Sequence, residues 1–378
     1  MPSVARHDGA MEIVAQQSRH QARAARLRPR LLAAVASAVL FGSWVHAVGA
    51  ETTQPAPLPQ HLRDTGLYAP GSSTQIDARN LAFSPQYPLW SDGTRKRRWI
   101  YLPPGTTIDA SRPDAWDFPT GTRLWKEFAH GRPVETRFIE RLPDGTWRFG
   151  SYVWNAEGTD ATLAPGDGIA ALPVAGAPNG TYAIPGEFDC RACHEGAAVP
   201  VLGFGALQLS PDRDPLAPHA DARSEIDLSG LVSRGLIRNL PTALIETPPR
   251  INASSDAERA ALGYLHGNCA HCHNDNGSPV PVDLTLAQSA ASGAASSEQA
   301  LRSMIDARSR YRGHGLSADA PLIAPGRPDA SVLIARVASR NPQRQMPPLG
   351  TQLLDTEALV LLERWISEKS HSSRELTP

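Results

Sequence analysis

The chain has 378 residues, with 37 basic and 38 acidic side chains, and its formal charge of −1 gives no indication of nucleic-acid binding. Its length allows two or three domains beyond an N-terminal leader. Cysteine occurs only four times, and the positions of these four residues are the most informative feature of the sequence.

The first 50 residues have the pattern of a secretory signal peptide. Six arginines precede position 31, residues 31–50 are almost wholly apolar or small, and Val48-Gly49-Ala50 offers small residues for cleavage. Retention of this stretch as a membrane anchor is the alternative. In both cases the rest of the chain leaves the cytoplasm, so we expect a periplasmic or exported protein, membrane-bound only if the leader is retained.

Residues 51–80 are predicted to be a linker, and residues 81–185 a β-rich domain. Strands are predicted over 98–102 and 123–128, and a hairpin joins 135–142 to 146–154 through Pro143-Asp144-Gly145. A β-sandwich or a curled sheet fits this pattern.

The predicted β-rich domain carries most of the tryptophans. We interpret these side chains as core, with a ligand groove as the alternative; they are Trp90, Trp99, Trp116, Trp125, Trp147 and Trp154. The basic run Arg95–Arg98 is interpreted as a solvated strand end or turn, with docking of an acidic redox partner as the alternative. Asp92 and Asp160 are explained by turn formation.

All four cysteines belong to two C-x-x-C-H motifs, Cys190–His194 and Cys269–His273. In this motif two thiols each add to a vinyl group of a haem, and the histidine becomes an axial iron ligand. A single zinc ion held by four thiolates, disulfides and a redox dithiol are the alternatives. We predict two covalently attached haem c groups, bound by Cys190, Cys193, His194, Cys269, Cys272 and His273.

The first haem segment, residues 186–250, contains no methionine, so the second ligand of the first iron is open. Candidates are His219, His266, Met304 and His314. His219 lies in a loop rich in Pro and Asp, where a solvated side chain is expected. His266 lies at the end of a capped helix and is our candidate ligand, with a hydrogen bond to a haem propionate or to the local backbone as the alternative. An iron with an open position is the third possibility.

Residues 251–370 have the pattern of a compact cytochrome domain. Ser255 and Glu258 form a predicted capping box, and the helix that follows delivers Cys269 from its C-terminal end. A second helix is predicted over 355–368, and we expect it to approach the first helix closely at Gly263.

Met346 lies in a Pro-stiffened loop shortly before this last helix. Its thioether is our candidate for the distal ligand of the second haem, and filling of a core gap is the alternative. His271, between the two cysteines, suits an exposed position at the haem edge and receives no role.

The C-terminal third resembles class I cytochrome c domains in Cys269–His273, Pro325-Gly326, Met346-Pro347-Pro348 and Trp365-Ile366. Residues 80–370 resemble a bacterial family of dihaem c-type cytochromes with a β-rich N-terminal half. Stretches typical of that family are Leu89–Gly93, Phe118–Thr122 and Tyr264–Cys269. The resemblance implies haems and electron transfer, without a substrate, on an α+β multidomain fold whose β-rich module precedes mainly α-helical haem domains.

Three functions are compatible with these features. The first is an electron carrier that exchanges electrons with donor and acceptor proteins. The second is a dihaem peroxidase or oxidase in which the first iron has an open position. The third is a binding module whose haems are structural.

Overall fold

Short apolar runs bounded by Pro, Gly and Asp form the strands of an antiparallel sheet. A computed structural model describes residues 56–276, 282–313 and 315–369, so the predicted signal peptide and His314 lie outside the described residues. The sheet has the order β1-β2-β4-β5-β6-β7, with β1 (Leu81–Ala82), β2 (Arg95–Tyr101), β4 (Arg123–His130), β5 (Arg132–Arg141), β6 (Trp147–Trp154) and β7 (Ala161–Leu163).

Two small sheets accompany the large one. Strand β3 (Ile108–Asp109) pairs in parallel with β10 (Ile237–Arg238), and β8 (Ile169–Pro173) pairs antiparallel with β9 (Thr181–Ile184). The predicted hairpin is present: β5 and β6 are joined at Pro143-Asp144-Gly145, where the Asp144 carboxylate accepts from the Thr146 amide at 2.9 Å. The prediction of a β-rich N-terminal half is therefore confirmed.

The large sheet buries apolar side chains on both faces. The tryptophan face is formed by Trp99, Trp125 and Phe138, which lie opposite one another on β2, β4 and β5. The next row of paired residues points to the other side of the sheet, because side chains alternate along a strand. This row consists of Ile100, Leu124, Ile139 and Phe149. This second side is called the motif face, since the first C-x-x-C-H segment packs against it.

The linker prediction for residues 51–80 is wrong beyond about residue 60. A 3₁₀ turn spans Leu62–Thr65, and Leu62 and Leu67 are fully buried against the tryptophan face. The Trp125 indole donates to the Thr65 hydroxyl at 2.9 Å. This segment is ordered because it covers an aromatic row that would otherwise face water.

Four of the six tryptophans of this region are buried core side chains, as predicted, while Trp90 and Trp147 are partly buried. The interpretation of the basic run is corrected by the register. Arg97 is paired with Glu127 on the tryptophan side, whereas Arg98 is only 7% exposed on the motif face. The run forms the first four residues of β2, where Arg95 is exposed at the strand end as predicted, and alternation divides the charges of the run between two faces.

The described helices all follow the large sheet in sequence. They are α1 (Glu187–His194), α2 (Leu228–Ser233), α3 (Thr242–Glu246), α4 (Asp256–Asn268), α5 (Gly293–Met304), α6 (Val332–Val337) and α7 (Thr356–Glu368). Within the parts of the chain described, no helix has the length and apolar character needed to cross a bilayer.

Helices α4 and α7 pack together, as predicted. The Ser255 hydroxyl accepts from the Glu258 amide at 3.1 Å, although the Glu258 carboxylate returns to the Ser254 amide rather than to that of Ser255. Glu258 is buried, accepts from the Trp365 indole at 3.2 Å and pairs with Lys369. This buried network joins the start of α4 to the end of α7.

The expected approach of α7 at Gly263 is wrong, because Tyr87 occupies that position. A Cβ at Gly263 would lie 2.0 Å from the Tyr87 ring, and one at Gly267 would lie 2.4 Å from the Tyr87 carbonyl oxygen. Tyr87 comes from the connection between β1 and β2, and its hydroxyl donates to Asp214 at 3.1 Å. A residue of the N-terminal half thus belongs to the core that α4 and α7 form.

Candidate functional site

The first C-x-x-C-H motif lies on α1. The helix is closed at its start by the Asp189 carboxylate, which accepts from the Gly186 amide at 3.0 Å. The helix carries Cys190, Cys193 and His194, and Cys190 packs against the core beneath the motif face. The helix therefore places both thiols and the imidazole beside the sheet.

The ring of His194 is oriented by a single hydrogen bond. Its Nδ1 lies 2.6 Å from the Pro200 carbonyl oxygen, so Nδ1 carries the proton and donates. The lone pair of Nε2 is then free for a metal, which is how metal-ligating histidines are commonly held. The Phe149 ring packs 5.3 Å from the imidazole, centroid to centroid.

The second motif follows α4 directly. The Cys269 amide donates to the Leu265 carbonyl and ends the helix, and the His273 amide donates to the Cys269 carbonyl, both at 2.9 Å. The Nδ1 atom of His273 is buried and has no hydrogen-bond partner among the described residues. His273 therefore lacks a backbone acceptor of the kind that orients the ring of His194.

The two motifs, far apart in sequence, touch each other. The Asn274 side-chain amide donates to the Gly196 carbonyl at 2.9 Å. A Cβ at Gly196 would lie only 2.4 Å from the His271 carbonyl oxygen, so the backbones approach too closely for any other residue there. His271 is partly buried at this contact, and not exposed as predicted.

Burial decides the ionisation of the site. It raises the pKa of the Cys193 thiol to about 11 and that of Cys269 to about 12, and it lowers the pKa of His194 to about 4. At neutral pH the thiols are protonated and the imidazole is neutral. All four cysteines are free. Over the described ranges, no group of three or more His, Cys, Asp and Glu side chains is arranged to share a metal ion.

Met346 and Met304 occupy different environments. Met304 is 1% exposed in the core of the C-terminal half, as expected of a packing residue. Met346 is partly buried in a loop held by the Gln345 side chain, which donates to the carbonyls of Pro347 and Thr351 at 3.1 and 3.3 Å. The assignment of Met346 as a distal ligand stays a prediction.

The turn that contains Asp92 anchors both elements that carry predicted ligands. The Trp90 amide donates at 2.7 Å to Asn268, the last residue of α4. The Asp92 carboxylate accepts from the amides of Gln352 and Leu353 at 2.9 and 2.8 Å. Turn chemistry alone does not explain this arrangement, and the sequence offers no local signal for a partner so distant in the chain.

We expect Asp92→Ala to loosen the loop that carries Met346. Hydrogen bonds to a charged acceptor contribute about 1.5–3 kcal/mol each, so the Gln352 and Leu353 amides should exchange at least about tenfold faster. Hydrogen exchange read by mass spectrometry over residues 346–354 measures this. Asp144→Ala is the control, because the Asp144 carboxylate bonds only within its own turn. Equal exchange in both variants would contradict the role given to Asp92.

His219 is not solvated as predicted. Its Nε2 lies 2.8 Å from Asp355 and its Nδ1 lies 3.2 Å from Glu357. Its ring also packs against Trp90 in a tilted arrangement, with 4.7 Å between the ring centroids. Both ring nitrogens are therefore engaged by carboxylates, and the Pro- and Asp-rich composition of the loop concealed this.

His266 is also hydrogen-bonded. Its Nδ1 accepts from the Gln288 amide at 3.0 Å, so in the neutral ring the proton is on Nε2. Burial lowers the pKa of His266 to about 4. This arrangement corresponds to the backbone alternative, and ligation of iron by His266 stays an untested prediction.

Comparison of the chain with protein-family models, with curated proteins and with solved structures finds no match. The functional interpretation therefore depends on the residues of the site. They fit a covalently bound haem at each motif: two protonated thiols, an adjacent imidazole and, at His194, a hydrogen bond that leaves Nε2 available.

Proposed function

We propose that the chain is an exported or periplasmic dihaem c-type cytochrome that passes electrons singly between donor and acceptor proteins. The observation that carries the proposal is the contact between the segments that carry the two C-x-x-C-H motifs, made by Gly196 with Asn274 and with the His271 carbonyl. A relay needs its two centres close together in one folded unit, and this contact between the motif segments supports such proximity.

Each residue of the site has a role in this proposal. Cys190 and Cys193, and likewise Cys269 and Cys272, supply the thioether bonds. His194 and His273 supply one axial ligand each, and Met346 the second ligand at the C-terminal site. When bound, the haems would supply one-electron iron redox chemistry. The Pro200 carbonyl fixes the tautomer of His194, and the motif cysteines and histidines are partly buried.

Met346→Ala tests the ligand assignment. A thioether favours ferrous iron, so the variant should lose the near-infrared sulfur-to-iron band, and the potential of one haem should fall. Absorption spectra and a potentiometric titration measure both. Met304→Leu is the matched control, because Met304 is a buried packing residue. A band that persists in Met346→Ala and is lost in the control would transfer the role to Met304.

A dihaem peroxidase or oxidase is the second candidate function. It is favoured by the contacts of His219 and His266, because both ring nitrogens of His219 lie against carboxylates and Nδ1 of His266 accepts from the Gln288 amide. If His219 and His266 keep these contacts, an iron held by His194 would have an open position for a small ligand. Another residue, such as His314 outside the described range, could fill that position.

Carbon monoxide and peroxide separate the two functions. A relay with two six-coordinate irons should be low-spin. Addition of carbon monoxide should leave the absorption spectra of both haems unchanged, and the protein should not turn over peroxide. A high-spin wild-type protein that binds carbon monoxide at one haem and reduces peroxide would replace the relay by the enzyme. Met346→Ala serves as the positive control for carbon monoxide binding, since it opens one iron.

A further inference from the structure

Three basic side chains lie side by side on the motif face. Arg98, Lys126 and Arg137 occupy directly opposed positions on β2, β4 and β5, with Ser151 of β6 completing the row. We call Arg98, Lys126 and Arg137 the cation row. Side chains opposed across strands lie about 4.5–5.5 Å apart at Cβ, and like charges in such positions are destabilising.

The cation row is only partly neutralised. Arg137 forms a bidentate pair with the buried Glu135 at 2.8 and 3.1 Å. Lys126 and Arg98 have no ion pair and no side-chain hydrogen bond within the described residues. The Phe128 ring, 5.0 Å from the Lys126 ammonium, gives Lys126 a cation–π contact, which at about 0.5–2 kcal/mol does not replace a counter-charge.

The row lies beside both C-x-x-C-H motifs. Phe149, its neighbour on β6, packs against His194, and α1 contacts β6. Burial is the main cause that lowers the pKa of His194 and of His271 to about 4, and the positive charge of Lys126 contributes to the shift of each. Lys126 is therefore within electrostatic range of both motifs.

Acids among the described residues act on the cation row from a distance: Glu135 on Lys126 and Asp221 on Arg98, without an ion pair to either side chain. Burial, and then the charges of Arg98, Lys96 and Arg137, hold the pKa of Lys126 well below its usual value. Burial likewise lowers the pKa of Arg98 to about 10. A partly buried row of cations is stable when a carboxylate is brought to it, because the ion pair offsets the desolvation that each charge suffers.

We propose that Lys126 and Arg98 bind a haem propionate and so set the potential of one of the two haems. The inference rests on the proposed function, because the propionate enters with the covalently attached group. A carboxylate fits the row in charge, and each haem would supply two carboxylates. The row is thus a binding site for the cofactor in the β-rich half, which carries neither motif.

The test is Lys126→Gln in the fully loaded, full-length protein. Removal of a nearby positive charge stabilises ferric relative to ferrous iron, so the potential of one haem should fall. At a fixed solution potential, we expect the ratio of oxidised to reduced haem to rise about tenfold at the affected site. This change corresponds to a fall of about 59 mV in its reduction potential for one electron. Lys126→Arg keeps the charge and should restore the wild-type potential.

Arg95→Gln is the matched control. It removes one charge from the neighbouring strand β2, but from an exposed side chain on the opposite side of the sheet, where solvent screens it. Its potentials should equal those of the wild type. Equal shifts in Lys126→Gln and Arg95→Gln, no shift in either, or a shift in Lys126→Arg as large as in Lys126→Gln would overturn the inference.

Two further measurements distinguish a failure of this inference from a failure of the proposed function. Covalent haem is counted in every sample. A wild-type protein without two haems would refute the proposed function itself. Two haems with an unchanged potential in Lys126→Gln would refute only the role of the cation row. A wild-type potential that varies with inorganic phosphate at constant ionic strength, and loses this dependence in Lys126→Gln, would assign the row to a free anion and overturn the propionate.

Discussion

Replacement of Cys190 and Cys193 by alanine is expected to halve the haem that stays attached after denaturation. Each motif supplies its own pair of thiols, and the two pairs pack against different cores: Cys190 against the core beneath the motif face and Cys269 against the core of α4 and α7. Loss of one pair should therefore leave the other site competent. The measurement is haem per chain in denatured protein, by absorbance and by intact mass.

The reciprocal variant, with Cys269 and Cys272 replaced, is the matched control. It should also retain one haem, but it should lose the sulfur-to-iron band assigned to Met346, which the first variant keeps. Zinc without iron in the purified wild-type protein would refute the haem interpretation of both motifs. Loss of both haems on removal of either pair would show that the sites do not mature independently.

Gly267→Ala is expected to destabilise the fold strongly. The added Cβ would lie 2.4 Å from the Tyr87 carbonyl oxygen and 3.0 Å from the carbonyl carbon, so the backbone itself would have to move. Overpacking of this kind costs about 1–3 kcal/mol. The better helix propensity of alanine returns at most about 1 kcal/mol. The melting temperature of the loaded protein should fall.

Gly293→Ala in α5 is the control for this substitution. The nearest heavy atom to its added Cβ is the Arg250 carbonyl oxygen at 3.4 Å, an ordinary contact, so stability should be unchanged or slightly higher. Gly263→Ala should resemble Gly267→Ala, because its Cβ would meet the Tyr87 ring at 2.0 Å. A melting temperature for Gly267→Ala equal to that of Gly293→Ala would contradict the close packing against Tyr87.

Local patterns were sufficient to predict the strands of the hairpin and the helices α4 and α7. Alternation, turn residues and caps act within a few positions, and the residues that form them lie together in the sequence. The two motifs were identified for the same reason, since the thiols and the histidine must be neighbours on one turn of chain.

Contacts between distant segments were not predicted. The run Arg95–Arg98 has the composition of a solvated turn, and only the pairing of β2 with β4 shows that Arg98 is buried opposite Lys126. The bonds of Asp92 to the loop after Met346 also depend on a partner that a local pattern does not specify. The Pro- and Asp-rich composition of its loop predicted a solvated His219. In the structure, two carboxylates from α7 and its N-cap contact the ring.

The insertion of Tyr87 against Gly263 and Gly267 limits how the protein can be divided. Synthesis delivers the N-terminal half first, so Tyr87 is already present when α4 forms and can cover the glycine groove at once. A fragment that begins at residue 251 lacks this partner and would expose the groove to water. The C-terminal third is therefore not a transplantable module: grafting it onto another protein would require either a substitute aromatic residue or larger side chains at the two glycines.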